Sequence, residues 1–352
     1  MSEIVFLKGV HNTTASGHTR PMLHQDPTLW PTRKPSTASR PSSPRPPSMQ
    51  SSPLLPTILL FAAPFVLALL AYLRLSADAR RWFFASVWQH CNGAASLDAK
   101  TKQAKLEIFA ERPLRGRVLD VGSGEGVNLR YLAADDVTEI VCVEPNSYFH
   151  RKLRERARRA VEERRARRGK PLSIRIFAGT LSEYAESAEA LSLFDCVTCI
   201  LVLCSVGDLR GDCRLAARLL KPDGSALYYL EHVAGSGVAL RIAQRLVQPL
   251  WNLFGDGCQL CRHTGHELHC LRGVASHTER RFSLLGGLLP VVCGVCRFAA
   301  GTGPDGWGHE HARQERAARV TRRERARSPA RRRPGQWWEV TSNRNVVVVV
   351  AR

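Results

Sequence analysis

The chain is predicted to be α/β, with a mostly parallel sheet covered by helices on both faces. Three observations predict this. Val118-Leu-Asp-Val-Gly-Ser-Gly-Glu-Gly126 reads as a buried strand, a glycine turn and the start of a helix, and Ile140-Val-Cys-Val-Glu-Pro145 reads as a second buried strand ending in an acid. Further apolar runs follow at residues 173–178, 194–203 and 226–233, continuous rather than alternating, as expected of strands buried on both faces. Stretches with helical periodicity, residues 149–168 and 209–220, lie between them, so strand and helix alternate along the chain.

The elements follow in order. Residues 1–53 are rich in Ser, Pro and Thr, lack apolar periodicity and are expected to be a disordered leader. Residues 54–73 carry no charge, and about 20 apolar residues suffice to span a bilayer. Arg74, Arg80 and Arg81 follow, with Tyr72, Trp82, Phe83 and Phe84 as an aromatic interfacial belt, so residues 54–75 are expected to anchor the chain in a membrane. The catalytic domain is placed at residues 82–276, opening with a helix over 87–110. Its first strand is 117–121, a helix begins at 127–132, and the second strand is 140–144. A helix over 238–254 follows the strand at 226–233. Lys221-Pro-Asp-Gly224 stops the helix before that strand. Residues 277–335 read as a basic, Gly-, Arg- and Pro-rich disordered insertion, and residues 336–352 as a terminal β-hairpin.

The formal charge is +20, concentrated in residues 151–170 and in the tail, where residues 310–352 hold twelve Arg against four Glu. A solvated helix face and a disordered tail account for it. Anionic lipid is the next candidate partner, and no specific nucleic acid is expected. Of eleven cysteines, Cys142, Cys196, Cys199 and Cys204 fall inside apolar strands, where thiols act as small hydrophobes in a reducing compartment.

The glycine turn is the candidate site. Gly122, Gly124 and Gly126 allow a sharp turn and a close backbone approach to a ligand. Asp120 precedes them, and Glu144, at the tip of the second strand, can accept bonds from both hydroxyls of a ribose. The spacing is G-x-G-x-G rather than G-x-G-x-x-G, so a nucleoside-bearing cofactor is implied without the dinucleotide fingerprint. Cys258-x-x-Cys261, with His263, His266, His269 and Cys270 nearby and Cys293-x-x-Cys296 beyond, has some of the spacing of a zinc site, but the loop between the pairs is long and no metal is assigned.

The glycine block resembles motif I of the class I S-adenosylmethionine-dependent methyltransferases, of the type 11 group. Leu201-Val-Leu-Cys-Ser-Val206, Leu220-Lys-Pro-Asp-Gly224, Glu231-His-Val233 and Pro249-Leu-Trp-Asn-Leu-Phe-Gly-Asp-Gly-Cys258 are narrower and are similar to the methyltransferase-like 7 family, membrane-anchored thiol S-methyltransferases. The resemblance implies a Rossmann-like, seven-stranded sheet of order 3-2-1-4-5-7-6 with strand 7 antiparallel. Strands 6 and 7 are not evident, because the end of the chain lacks the family's compact close. It implies S-adenosylmethionine as cofactor. Gly122, Ser123, Gly124 and Gly126 would lie along its methionine and ribose side, with Asp120 beneath the methionine moiety. Glu144 and Pro145 would be at the ribose, Gly179 and Thr180 at the adenine, and residues 201–205, Leu201 and Leu203 among them, at the methyl-transfer site. Ser123 and Glu125, where relatives often have Cys or Thr, are expected to contribute mainly backbone.

The implied acceptor is a small hydrophobic thiol, and the implied place is the endoplasmic reticulum or another endomembrane, with the catalytic domain in the cytosol. A lipid, quinone or phenol acceptor stays open, as does a non-catalytic anchored scaffold binding RNA or anionic lipid. Glu231, His232 and Asp256 are the candidate catalytic residues. His232 can act as a base, stabilise a thiolate, or simply pack at the strand end. Trp251, Leu253 and Phe254 can form an apolar lid or ordinary core.

Overall fold

The computed structural model describes residues 54–91, 95–187, 193–222, 224–299, 336–343 and 346–351. The expected leader and most of the expected insertion, residues 300–335, lie outside them. The chain enters through three helices: α1 (Leu54–Leu75), α2 (Ala77–Cys91) and α3 (Ala95–Glu111). The alternating unit follows as β1 (Gly116–Val121), α4 (Leu129–Leu132), β2 (Val137–Val143), α5 (His150–Ala166), β3 (Ser173–Ala178), α6 (Leu181–Ala185), β4 (Cys196–Ile200), α7 (Leu209–Arg218) and β5 (Ala226–His232). After it come α8 (Val238–Phe254), α9 (Thr264–His269), β6 (Val274–Leu284), β7 (Leu289–Phe298), β8 (Gln336–Asn343) and β9 (Val346–Ala351).

Among the described residues the sheet has nine strands, in the order β6-β7-β5-β4-β1-β2-β3-β8-β9. Strands β1 to β5 are parallel, and β7 runs antiparallel to β5. Residues 277–298, expected in the disordered insertion, instead form most of β6 and all of β7. β6 hid because it is an edge strand whose exposed residues, such as Glu279 and Arg281, interrupt its apolar pattern. The sheet also exceeds the seven strands of the resemblance. β8 adds antiparallel to β3, pairing Trp337 with Phe177 and Trp338 with Ile176. Trp337 packs on Phe177 at 4.9 Å between ring centroids, and Trp338 on His150 at 5.0 Å. β8 and β9 thus cover an edge that would otherwise offer unpaired backbone groups.

Alternate residues of each strand feed two cores. Val118, Ile140, Cys142 and Ile176 face one side, with Ile108 of α3 and Leu153, Ala157 and Val161 of α5. Leu119, Val141, Phe177 and Val197 face the other, with Tyr184 of α6, Ala216 of α7 and Leu268 of α9. The C-x-x-C pairs Cys196/Cys199 and Cys293/Cys296 each split between these faces, which rules out a local redox pair. Because β2 and β3 extend from one side of β1 and β4 lies on the other, the topology switches between β1 and β4. Open α/β sheets build ligand sites at the strand C-termini of such a point.

Two expectations about the entry helices change. The predicted helix over 87–110 is two helices, α2 and α3. The predicted aromatic belt also divides: Trp82 and Tyr72 are exposed, whereas Phe83 packs against Phe254 at 5.3 Å and Phe84 against Phe149 at 6.0 Å. Among the described residues, no helix is long and apolar enough to cross a membrane.

Candidate active site

The cleft opens where β1, β2 and β4 end, with a volume of about 670 Å³, within the usual range for ligand pockets. The strand ends shape it. Gly122 N and Ser123 N both donate to Val143 O, at 2.9 and 3.3 Å, so the turn after β1 is tied to β2. Ser123 Oγ donates to Asp120 O at 3.0 Å and closes the turn from within. Gly122 has φ +65°, and a Cβ there would stand 2.3 Å from Val202 Cγ2, so glycine is required on both counts. At Gly124, φ +56°, no described atom lies within 4 Å of where a Cβ would be: the space beside it is open.

Glu144 stands just past β2. Its Oε2 accepts from Gly124 N at 2.7 Å and its Oε1 from Asn146 N at 2.7 Å. A carboxylate has about four acceptor positions, so two remain for the hydroxyls of a ribose. Burial pushes its carboxyl up to about 7, against the pull of those two N–H groups. Asp120 is fully buried behind the turn, its Oδ1 accepting from Thr198 Oγ1 at 2.7 Å. Its Oδ2 has no hydrogen-bond partner among the described residues, and burial raises the group to about 6. Glu125 does more than contribute backbone: its buried carboxylate pairs with Arg156 at 3.3 Å and Lys152 at 3.5 Å. The basic helix α5 therefore braces the glycine turn.

Of the predicted cofactor residues, Gly122, Glu144, Pro145, Thr180 and Leu201 line the cleft. Asp120 and Ser123 are buried behind the turn, and Gly124, Gly126, Gly179 and Leu203 are not among the residues that line the cleft. Thr180 also caps α6 through a capping box with Glu183. Leu201 ends β4 with φ +57°, unusual for a branched side chain, and its N–H is held by Leu230 O at 2.7 Å. Sequence reasoning missed Arg81 and Phe84 of α2, Asn146 and Phe149 as lining residues, whereas Ser205, within the 201–205 segment expected at the methyl-transfer site, does line the cleft. The aromatic–basic run of α2 was visible, but its facing was not.

The three candidate catalytic residues separate. Asp256 lines the cleft, with φ +46°, and its carboxyl is raised by burial against the opposing pull of Arg81 and Arg80. Glu231 is fully buried and turned to the loop after β4. Its Oε1 accepts from Val202 N and Leu203 N at 3.0 and 2.9 Å, and its Oε2 from Cys204 N at 3.1 Å. Burial lifts it to about 7. It positions the loop rather than facing the cleft. His232 is buried too, its Nδ1 3.7 Å from Cys258 Sγ. Cys204 completes this cluster, the three ligand-type atoms lying within 4.8 Å of one another. The Cys204 thiol and the His232 imidazole pull Cys258 below the usual thiol range, while Cys204 is pushed up. Cys261 is not part of the cluster. Phe254 meets Phe83 of α2, and Trp251 packs against the core.

A family profile described as a methyltransferase domain matches residues 94–268. The chain is 30% identical over 178 residues to the thiol S-methyltransferase TMT1B of Rattus norvegicus, covering 48% of this chain and 67% of that one. It is 30% identical over 162 residues to the human thiol S-methyltransferase TMT1A, covering 46% of this chain and 61% of the relative. Among solved structures, an O-methyltransferase family protein from Burkholderia thailandensis aligns at 16% identity and a TM-score of 0.42, over 62% of this chain and 60% of that one. The domain match, the strand order and the glycine turn with its acid define a class I, S-adenosylmethionine-dependent methyltransferase. Within that class the chain belongs to the family of the thiol S-methyltransferases. Its cofactor is S-adenosylmethionine, and the spare acceptor positions of Glu144 and the open space beside Gly124 fit that group.

Proposed function

We propose that the protein transfers the methyl of S-adenosylmethionine to a small hydrophobic thiol while attached to a membrane, in the endoplasmic reticulum or another endomembrane with the catalytic domain in the cytosol. The observation that carries the acceptor is the 30% identity over 178 residues to a protein named a thiol S-methyltransferase. When bound, the cofactor supplies an activated methyl on a sulfonium. Glu144 and the backbone of the glycine turn hold its ribose and fix its place. Thr180 closes the far end of the cleft. Leu201 and Ser205 border the region where the acceptor enters.

The thiolate is the nucleophile, and a thiol is far more acidic than an alcohol, with the cysteine thiol near 8.5, so modest help in removing its proton suffices. The residues around the cleft would align an acceptor sulfur with the methyl that the sulfonium would give up, and the thiol proton would leave to water or to the Asp256 carboxylate at the cleft wall. The chain's part is alignment, which can remove about 7–11 kcal/mol of the barrier to a reaction between two bound partners.

Membrane attachment is supported by exposed apolar surface on two helices. Phe65, Leu67 and Leu75 of α1 are exposed, as are Val238, Ile242, Leu246 and Leu250 of α8, spaced four apart on one face. Arg241 and Arg245 stand beside that stripe, as suits anionic headgroups.

The test offers the full chain, in vesicles of phosphatidylcholine with one-fifth phosphatidylserine, labelled S-adenosylmethionine and a panel of alkyl thiols, phenols, quinols and amines. A labelled thioether lost in Glu144→Ala supports the reading. A labelled product of another class removes the thiol while keeping the enzyme. Failure of the chain to float with vesicles removes the attachment.

A further inference from the structure

We propose that Cys204, His232 and Cys258 form a binding site for one zinc ion, or a cation of the same soft, divalent class. Each residue comes from a different segment: Cys204 from the loop after β4, His232 from the end of β5 and Cys258 from the loop after α8. They also come one each from the three narrow sequence blocks, Leu201–Val206, Glu231–Val233 and Pro249–Cys258. No spacing rule links them, because only the fold brings them together.

The geometry suits the ion. With zinc–sulfur bonds near 2.3 Å and zinc–nitrogen bonds near 2.05 Å, tetrahedral angles put sulfur and nitrogen about 3.6 Å apart and two sulfurs about 3.8 Å apart. Cys258 Sγ and His232 Nδ1 are 3.7 Å apart, and all three ligand atoms lie within 4.8 Å of one another. Two thiolates and a neutral imidazole balance a divalent charge, which matters because all three residues are buried.

The support is fixed in advance. Cys204 N donates to Glu231 Oε2, Gln259 N donates to Cys204 O at 2.8 Å, and Gln248 Nε2 donates to Cys258 O at 3.0 Å. These bonds hold the two cysteine loops against each other without using either sulfur, as outer-shell groups of metal sites do. Three protein ligands leave a fourth corner, the arrangement of zinc sites that take an exchangeable ligand. The corner is near the cleft: Ser205 Oγ, 3.7 Å from Cys204 Sγ, belongs to a residue that lines it.

The experiment uses the full chain, purified without chelator, with zinc counted by mass spectrometry and cobalt(II) exchanged in for absorption spectroscopy. About one zinc per chain is expected, with a thiolate-to-cobalt charge-transfer band in the near ultraviolet and intense tetrahedral visible bands. Cys204→Ser and Cys258→Ser should each bind zinc at least roughly tenfold more weakly. Cys258→His, which replaces one ligand by another, should keep zinc but weaken the thiolate band. Cys261→Ser with Cys270→Ser should change nothing. A wild-type chain with no zinc and no thiolate band would overturn the proposal, as would a Cys204–Cys258 disulfide in its place, or a band that survives Cys258→Ser. The wild-type spectrum decides the matter even if a variant fails to fold, and none of these readings depends on the methyl acceptor.

Discussion

Replacing Glu144 by Gln tests the donor site most directly. The carboxylate accepts from Gly124 N and Asn146 N at 2.7 Å each, one bond to each oxygen. A Gln of the same shape keeps one oxygen. Its amide nitrogen then faces the other backbone N–H, donor against donor. One backbone N–H loses its partner, and one of the two positions that would receive a ribose hydroxyl is lost. A hydrogen bond to a charged acceptor contributes about 1.5–3 kcal/mol. Losing one predicts that S-adenosylmethionine binds roughly 10- to 150-fold more weakly, at 1.4 kcal/mol per decade. Calorimetric titration at pH 8 measures it. A pH series adds a second reading. Burial holds Glu144 at about 7 in the donor-free protein, well above an unfolded carboxyl. The folded state therefore binds the extra proton, and the contribution to stability falls as pH rises from about 4.5 to about 7, then levels. Donor affinity runs the opposite way, rising through pH 7 as the carboxylate forms. The donor-affinity dependence should flatten in Glu144→Gln, whereas stability should keep the part contributed by Asp120 and Glu231, which burial raises to about 6 and about 7. An unchanged dissociation constant at pH 8, or a donor affinity that still rises through pH 7 in Glu144→Gln, would refute the placement of the ribose.

Three further outcomes follow from the structure. Gly122→Ala combines a left-handed backbone, about 1–2 kcal/mol, with overpacking against Val202, about 1–3 kcal/mol, whereas Gly124→Ala meets only the first cost; thermal melts should rank them in that order. Glu231→Gln should orphan one of the three N–H groups of residues 202–204 and cost about 1–3 kcal/mol in chemical denaturation, with donor binding weakened only through the loop. Trp338→Ala removes a ring 9% exposed that packs on His150 and pairs with β3, and should cost about 3 kcal/mol, read as a lower denaturation midpoint.

The centre of the sheet and the donor turn were legible because their signals are local. Continuous apolar runs identify strands covered on both faces, and a glycine turn between two of them has few other uses. Boundaries moved where tertiary contacts decide them: β4 stops at Ile200 because Leu201 takes a left-handed conformation held by Leu230. β6 was hidden by its edge position. The polar character of its exposed residues reads as loop until β7 is set beside it. Phe83 and Phe84 were misread because an aromatic residue after an apolar helix looks the same in sequence whether it meets lipid or a second helix. The cysteine–histidine cluster was invisible for a related reason, since its members are 28 and 26 residues apart along the chain and meet only through the sheet.

Asn146 belongs to two parts of the molecule at once. Its backbone N–H steadies the Glu144 carboxylate, and its side-chain amide donates to Arg81 O of α2 at 3.1 Å. Tyr148 adds a second tie, donating to Asp78 at 2.8 Å. The helix that follows α1 is thereby joined to the donor's seat, and its own Arg81 and Phe84 form one wall. Any influence that orders α2 must tighten the donor, and the donor must slow hydrogen exchange in α2. Linkage requires the two effects to be the same factor, read from opposite ends. An enzyme built this way registers, in its affinity for the cofactor, how firmly its first helices are held.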